Sequence, residues 1–144
     1  DGVVYDYVLI FQPTSPFRRK EDIDGSIQKL IETGCDSLVS VCEVEHSKHP
    51  VKMRIFSEGK LVPICDTFDV REGTRRQEFL QVYRRNSAIF AMRRDTLMEQ
   101  KSLMGNSVAG YIMPPELSAD MDEPEDWILT EFMLAELKKR GYDF

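Results

Sequence analysis

Two short apolar runs, joined by a segment of helical periodicity, limit what this chain can fold into. Residues 5–12, YDYVLIFQ, and 37–44, SLVSVCEV, are rich in β-branched and aromatic side chains. Runs of that kind are strands buried on both faces. Between them, Ile23, Ile27, Leu30 and Ile31 fall at i, i+4, i+7 and i+8, one face of a helix over 20–33. Glu21 and Asp22 suit its N-terminal end, and Gly34 is placed to end it. Strand, helix and strand in that order predict a βαβ unit and a parallel sheet at this point.

The remaining elements continue the α/β pattern. Residues 53–56 and 61–65 flank Glu58-Gly59-Lys60 and read as a hairpin. SAIFAMR at 87–93 is a third buried strand, the DTLMEQ after it a short helix, and GYIMP at 110–114 a further strand. A final helix runs from about Pro124 to Arg140, with Trp127, Ile128, Phe132, Leu134, Ala135 and Leu137 assigned to its apolar side. No repeat or low-complexity tract interrupts the 144 residues, which are expected to form one domain.

Composition narrows the function. With 42% hydrophobic and 31% charged residues, the chain reads as a soluble globular protein. It has no apolar run of membrane-spanning length and no secretory signal, which points to the cytoplasm and away from a membrane partner. A net charge of -6 argues against nucleic-acid binding. Arginines nevertheless concentrate at 71, 75, 76, 84, 85, 93 and 94, which suits a small anion or an interface. Cys35, Cys42 and Cys65 lack metal-site spacing and read as free thiols. The chain opens on Asp1 rather than methionine and enters a strand at once, as a piece of a longer protein would.

Four motifs carry candidate chemistry. In QPTSP, Gln12 stands where the first strand ends, at the sheet edge where α/β proteins bind ligands. Pro13 and Pro16 stiffen a turn that carries the hydroxyls of Thr14 and Ser15. The competing reading is an ordinary strand-to-helix turn. In SADMDEPEDW, Asp120 and Asp122 alternate by two, so extended backbone aims both carboxylates the same way, as a pair holding Mg²⁺ and substrate phosphates would be. Against this, Asp122 and Glu125 match a capping box, with Pro124 in the first turn. Arg84, Arg85 and Asn86 lead into a strand, where arginine forks suit a carboxylate or phosphate. His46 and His49 share a run with proline and do not form a helical ligand pair; Lys52 beside them is an anion candidate.

The order QPTSPFR, SLVSVCEVEHSKHPVK, RRQEFLQVYRRNSAIF and SADMDEPEDW resembles the acylneuraminate cytidylyltransferases over essentially the whole chain. The resemblance implies a Rossmann-like nucleotidyltransferase, a three-layer sandwich with a mostly parallel sheet. It also implies a small dimerisation arm, here about 53–83, and a homodimer through it with Phe68, Phe79 and Leu80 exposed. The implied reaction transfers CMP from CTP to a nine-carbon 2-keto sugar acid with Mg²⁺, releasing pyrophosphate. By position, Gln12, Thr14 and Ser15 would meet the sugar acid, Lys52 and Arg84 its carboxylate, and Asn86 would support the same pocket. Asp120 and Asp122 would bind the metal, with Asp122 and Arg84 in catalytic roles.

Two departures stand out. Family members have Arg-Pro-Asn-Gly-Ala where this chain has Arg84-Arg85-Asn86-Ser87-Ala88. The family's glycine- and basic-rich phosphate loop has no counterpart, because the eight glycines never cluster. The chain therefore reads as the C-terminal two-thirds of such an enzyme, inactive when isolated. The alternative is a non-catalytic sugar-acid-binding or dimerisation module derived from the same fold. The choice among sialic, legionaminic and pseudaminic acids stays open.

Overall fold

The computed structural model of the chain describes residues 2–64 and 79–144. Its elements are β1 (Tyr7–Ile10), α1 (Lys20–Thr33), β2 (Ser37–Glu43), β3 (Arg54–Ser57), β4 (Lys60–Pro63), β5 (Tyr83–Arg93), α2 (Arg94–Met98), β6 (Val108–Ile112) and α3 (Pro124–Lys139), with short 3-10 turns at His46–Lys48, Pro50–Lys52 and Pro115–Leu117. The chain divides into two compact units, residues 1–42 with 85–144 and residues 43–84.

In the first unit the strand order is β1-β5-β2-β6. β1 pairs antiparallel with β5, Ile10 opposite Phe90, and β2 pairs parallel with β6, Ser37 opposite Val108. Arg93 N–H bonds Asp36 O at one end of β5 and Ile89 N–H bonds Ser40 Oγ further back, so β5 also runs antiparallel to β2. The sheet is thus mixed, and the expected parallel β1–β2 pair is separated by a reversed strand. Burial explains this. Ala88, Ile89, Ala91 and Met92 are all enclosed, so consecutive residues of β5 are covered on both faces, which suits a central strand. The shorter β1 is left at the edge.

Helix α1 begins and ends where its sequence signals place it. Gly34 takes φ 62° and returns its N–H to Leu30 O. Its most buried residues are Asp22, Ser26 and Leu30, while Ile31 is half exposed. Leu30 packs with Leu38, Ala91 and Ala109. Asp22 is enclosed because Arg19 meets both its oxygens, at 2.9 and 3.0 Å. Helix α3 departs from its expected face. Leu137 joins Phe17, Ile89, Met113 and Leu117 in the core, with Met133 and Leu134 against them. Trp127, Ile128 and Phe132 are exposed. The helix is apolar nearly all round, so periodicity could not select the buried face.

In the second unit, β3 and β4 form the expected hairpin, Ile55 opposite Val62 and Phe56 opposite Leu61. Glu58 and Gly59 both take positive φ, the turn form that follows strand twist. His49 is buried: its Nε2 bonds Leu80 O at 2.8 Å and its Nδ1 accepts from Val51 N–H at 3.2 Å. Both ring nitrogens are occupied, which removes it as a metal ligand. Phe79 stacks on the rings of His46 and His49, so it is not the free apolar residue expected; Leu80 is exposed. Arg71, Arg75, Arg76, Cys65 and Phe68 lie outside the described residues. Among those described, Cys35 and Cys42 are free thiols, and no helix is long and apolar enough to cross a membrane.

Gly25 sits mid-helix in α1, where glycine costs about 1 kcal/mol relative to alanine. Its place is explained by Tyr111: a Cβ there would stand 2.7 Å from the phenol oxygen and 2.9 Å from Cε2. Gly25→Ala should lower unfolding free energy by about 1–2 kcal/mol in urea titrations, the scale of an overpacked contact exceeding the propensity gain. The same substitution in a Tyr111→Leu background should be neutral or stabilising.

Candidate functional site

The carboxyl ends of β1 and β6 and the amino-terminal half of β5 come together at one edge of the sheet, because β5 runs against the others. Ligands of α/β sheets bind at such an edge. The QPTSP turn leaves β1 here and is closed by Ser15 N–H on Gln12 O at 3.3 Å. Arg18 fastens it. One guanidinium nitrogen donates to Gln12 O (3.3 Å), Ser15 O (3.2 Å) and Ala88 O (2.8 Å), and Cζ lies over the Phe11 ring, 4.6 Å from its centre. Burial pushes the Arg18 guanidinium below its ordinary pKa. The arginine after the motif therefore ties the turn to β5, a role its sequence position alone did not reveal.

The two hydroxyls of the turn differ. Thr14 is half-buried. Ser15 is enclosed, and its Oγ donates to Asn86 O at 3.1 Å. Gln12 is exposed. The Asn86 side chain is fully enclosed, with Oδ1 accepting from Ser40 Oγ (2.5 Å) and Ala88 N–H (3.4 Å). Its Nδ2 donates to Ser118 Oγ (2.8 Å) and Met113 Sδ (3.4 Å). Ser87, which stands where family members have glycine, takes φ 60°, a region that disfavours any side chain.

The aspartate pair lies against the same turn. Met121 N–H donates to Thr14 O at 3.0 Å, joining the backbone between Asp120 and Asp122 to QPTSP. Asp120 Oδ1 is buried and has no hydrogen-bond partner, whereas Asp122 is exposed. Asp122 is not the cap its spacing suggested. α3 begins at Pro124 with Glu123 as N-cap, and Asp126 Oδ2 accepts from the N–H groups of Asp122 (3.0 Å) and Glu123 (2.9 Å). The capping signal was one residue later, in Glu123-Pro-Glu-Asp126.

A buried carboxylate oxygen without a partner is costly until a cation or a hydrogen-bond donor meets it. No group of three or more acidic, histidine or cysteine side chains gathers among the described residues. A magnesium ion that takes one or two carboxylates and completes its shell with substrate phosphates and water needs no such group, and Asp120 is the carboxylate here with an unmet acceptor. Lys52 and Arg84 belong to the second unit, both at exposed positions. A cavity of about 400 Å³ lined by Tyr7, Leu30, Arg93, Arg94 and Asp95 contains two members of the arginine cluster and no residue of the four motifs.

No protein-family model matches the chain. Curated relatives do. It is 33% identical over 124 residues to the N-acylneuraminate cytidylyltransferase of Streptococcus agalactiae, covering 85% of this chain and 29% of that protein. It is 33% identical over 134 residues to the CMP-N,N'-diacetyllegionaminic acid synthase of Legionella pneumophila, covering 92% and 55%. It is 22% identical over 142 residues to post-translational flagellin modification protein B of Campylobacter coli, covering 97% and 57%. Over most of its length the chain is similar to sugar-acid cytidylyltransferases. It spans less than two thirds of the length of these relatives.

Two stability measurements check this local geometry. Asp126→Ala should cost about 1 kcal/mol in denaturant titrations, the value of a helix cap, while Asp122→Asn should change stability by under about 0.5 kcal/mol as a surface substitution. Ser87→Gly should stabilise by a few tenths to about 1 kcal/mol, because relief of the positive φ is partly offset by the greater freedom of glycine in the unfolded chain.

Proposed function

We propose that these residues form the sugar-acid and metal half of a cytidylyltransferase that transfers CMP from CTP to a nine-carbon 2-keto sugar acid, N-acetylneuraminate or a legionaminate- or pseudaminate-like acid, and releases pyrophosphate. The observation that carries this reading is the unpartnered buried oxygen of Asp120 beside the QPTSP turn, in a chain related to cytidylyltransferases. In the proposed complex the exposed Gln12 amide and the Thr14 hydroxyl orient the sugar acid. Ser15 and Asn86 hold the pocket from beneath. Asp120 and Asp122 hold Mg²⁺, which when bound neutralises triphosphate charge and supports the departure of pyrophosphate.

The nucleotide half would come from polypeptide outside residues 1–144. The apolar row Trp127, Ile128 and Phe132 on α3, together with the side of β1 that no strand among the described residues pairs, supports a covering of that kind. A homodimer is proposed through β3 and β4, where Ile55, Phe56, Leu61 and Val62 are exposed on a hairpin that is two-stranded among the described residues.

The test uses the full natural protein containing these residues. With CTP, Mg²⁺ and each of the three sugar acids, pyrophosphate release is expected for one or more, and none from residues 1–144 alone. Asp120→Asn and Asp122→Asn should each lower turnover by roughly a hundredfold or more, the scale of losing an electrostatic stabiliser, with little change in melting. Full turnover in both variants, or no release with any sugar acid, would overturn the proposal.

A further inference from the structure

Asn86 is placed where it could touch a ligand only if it were turned outward, and it is turned inward. Its side chain is fully enclosed, and all its donor and acceptor positions are used. The partners come from separate parts of the chain. Ser40 lies on β2, itself fixed by Ile89 N–H on its Oγ at 2.8 Å. Ser118 closes the 3-10 turn after β6, donating to Pro114 O at 2.9 Å, two residues before Asp120. Ser15 belongs to the QPTSP turn and grips the Asn86 carbonyl.

We infer that Asn86 is a positioning residue: the Ser15–Asn86–Ser118 connection fixes the Asp120 segment against the QPTSP turn and so sets where the metal-facing carboxylate stands. The two segments also meet directly, at Met121 N–H on Thr14 O. That single backbone bond cannot fix the direction of a side chain. A second attachment on the other side of Asp120, through Ser118, leaves the short stretch between them pinned at both ends. Only a polar residue with both donors and acceptors can join the Ser40 and Ser118 hydroxyls in the same enclosed space, and asparagine supplies both in one planar group. The consequence for the metal rests on the reading of Asp120 given above; the positioning itself does not.

The experiment separates the two. Ser118→Ala removes the far attachment and Ser15→Ala the near one, and neither touches Met121. In native-state hydrogen exchange on the full natural protein containing these residues, each variant should exchange the Met121 amide about fivefold to tenfold faster, the equivalent of one lost buried hydrogen bond. The Gly34 amide, held at the far end of α1, should change no more than global stability does. Because both variants break one connection, the double variant should exchange Met121 less than the product of the single effects. Titration with Mn²⁺ alone, followed by line broadening of the 119–122 amides, should shift to higher concentration in both variants. Unchanged Met121 exchange in folded variants, or effects that simply multiply, would overturn the inference. Should either variant fail to fold, Ser40→Ala, which loosens the same amide from β2, takes its place with the same expectation. Absence of any Mn²⁺ broadening in the wild-type protein, with CTP present as well as without it, would instead remove the metal reading, and Met121 exchange would still decide the positioning role.

Discussion

A polar side chain shut away from water must find its hydrogen bonds inside the protein, and one that fails to do so costs on the order of 1–3 kcal/mol per lost partner. Asn86 meets that condition by drawing in Ser40, Ser118, Met113 and the Ala88 amide. Those partners sit on β2, after β6 and on β5, so satisfying one amide holds together the sheet edge on which the candidate site is built. The same need explains why serines occupy positions in the middle of apolar strands. Ser40 in SLVSVCE breaks a run that would otherwise be wholly apolar, and the hydroxyl is there for the amide opposite.

The sequence made some of this visible. Helix α1 could be read to its ends because several local signals agree: acidic residues in the first turn, periodic apolar residues, and a glycine able to take positive φ at Gly34. The hairpin was equally local, resting on Glu58-Gly59. The mixed sheet was not readable. Pairing of β1 with β5 joins residues about eighty positions apart, and an apolar strand carries no mark of its direction. The face of α3 was hidden for a different reason, since Leu, Ile, Phe and Trp lie on all sides of it and only contact with Phe17 and Leu117 decides which side is covered.

For the site, residue type and spacing identified the segments, and tertiary contact decided the roles. QPTSP and Asp-x-Asp both stand at the sheet edge, joined through Thr14 and Met121. That Ser15 faces inward while Thr14 is half exposed depends on Asn86, which no local pattern connects to the turn. The shift of the cap from Asp122 to Asp126 is a matter of where the helix begins: Pro124 fixes the first helical residue, and the carboxylate three positions after Glu123 is the one in reach. Lys52 and Arg84 were selected by charge and by resemblance, and they lie on the second unit.

The Arg18 clamp has an electrostatic consequence. Its partners are carbonyl oxygens and an aromatic ring, and no carboxylate among the described residues forms an ion pair with it. Carbonyls accept its protons without cancelling its charge. In a chain of net charge -6, the turn therefore rests on a positive charge that is left unneutralised. At physiological ionic strength such a field reaches about 8 Å before salt damps it, and further through the protein side. An anion approaching the edge of the sheet meets local attraction against a repulsive whole, so its capture should weaken as salt rises even though no lysine or arginine need touch it.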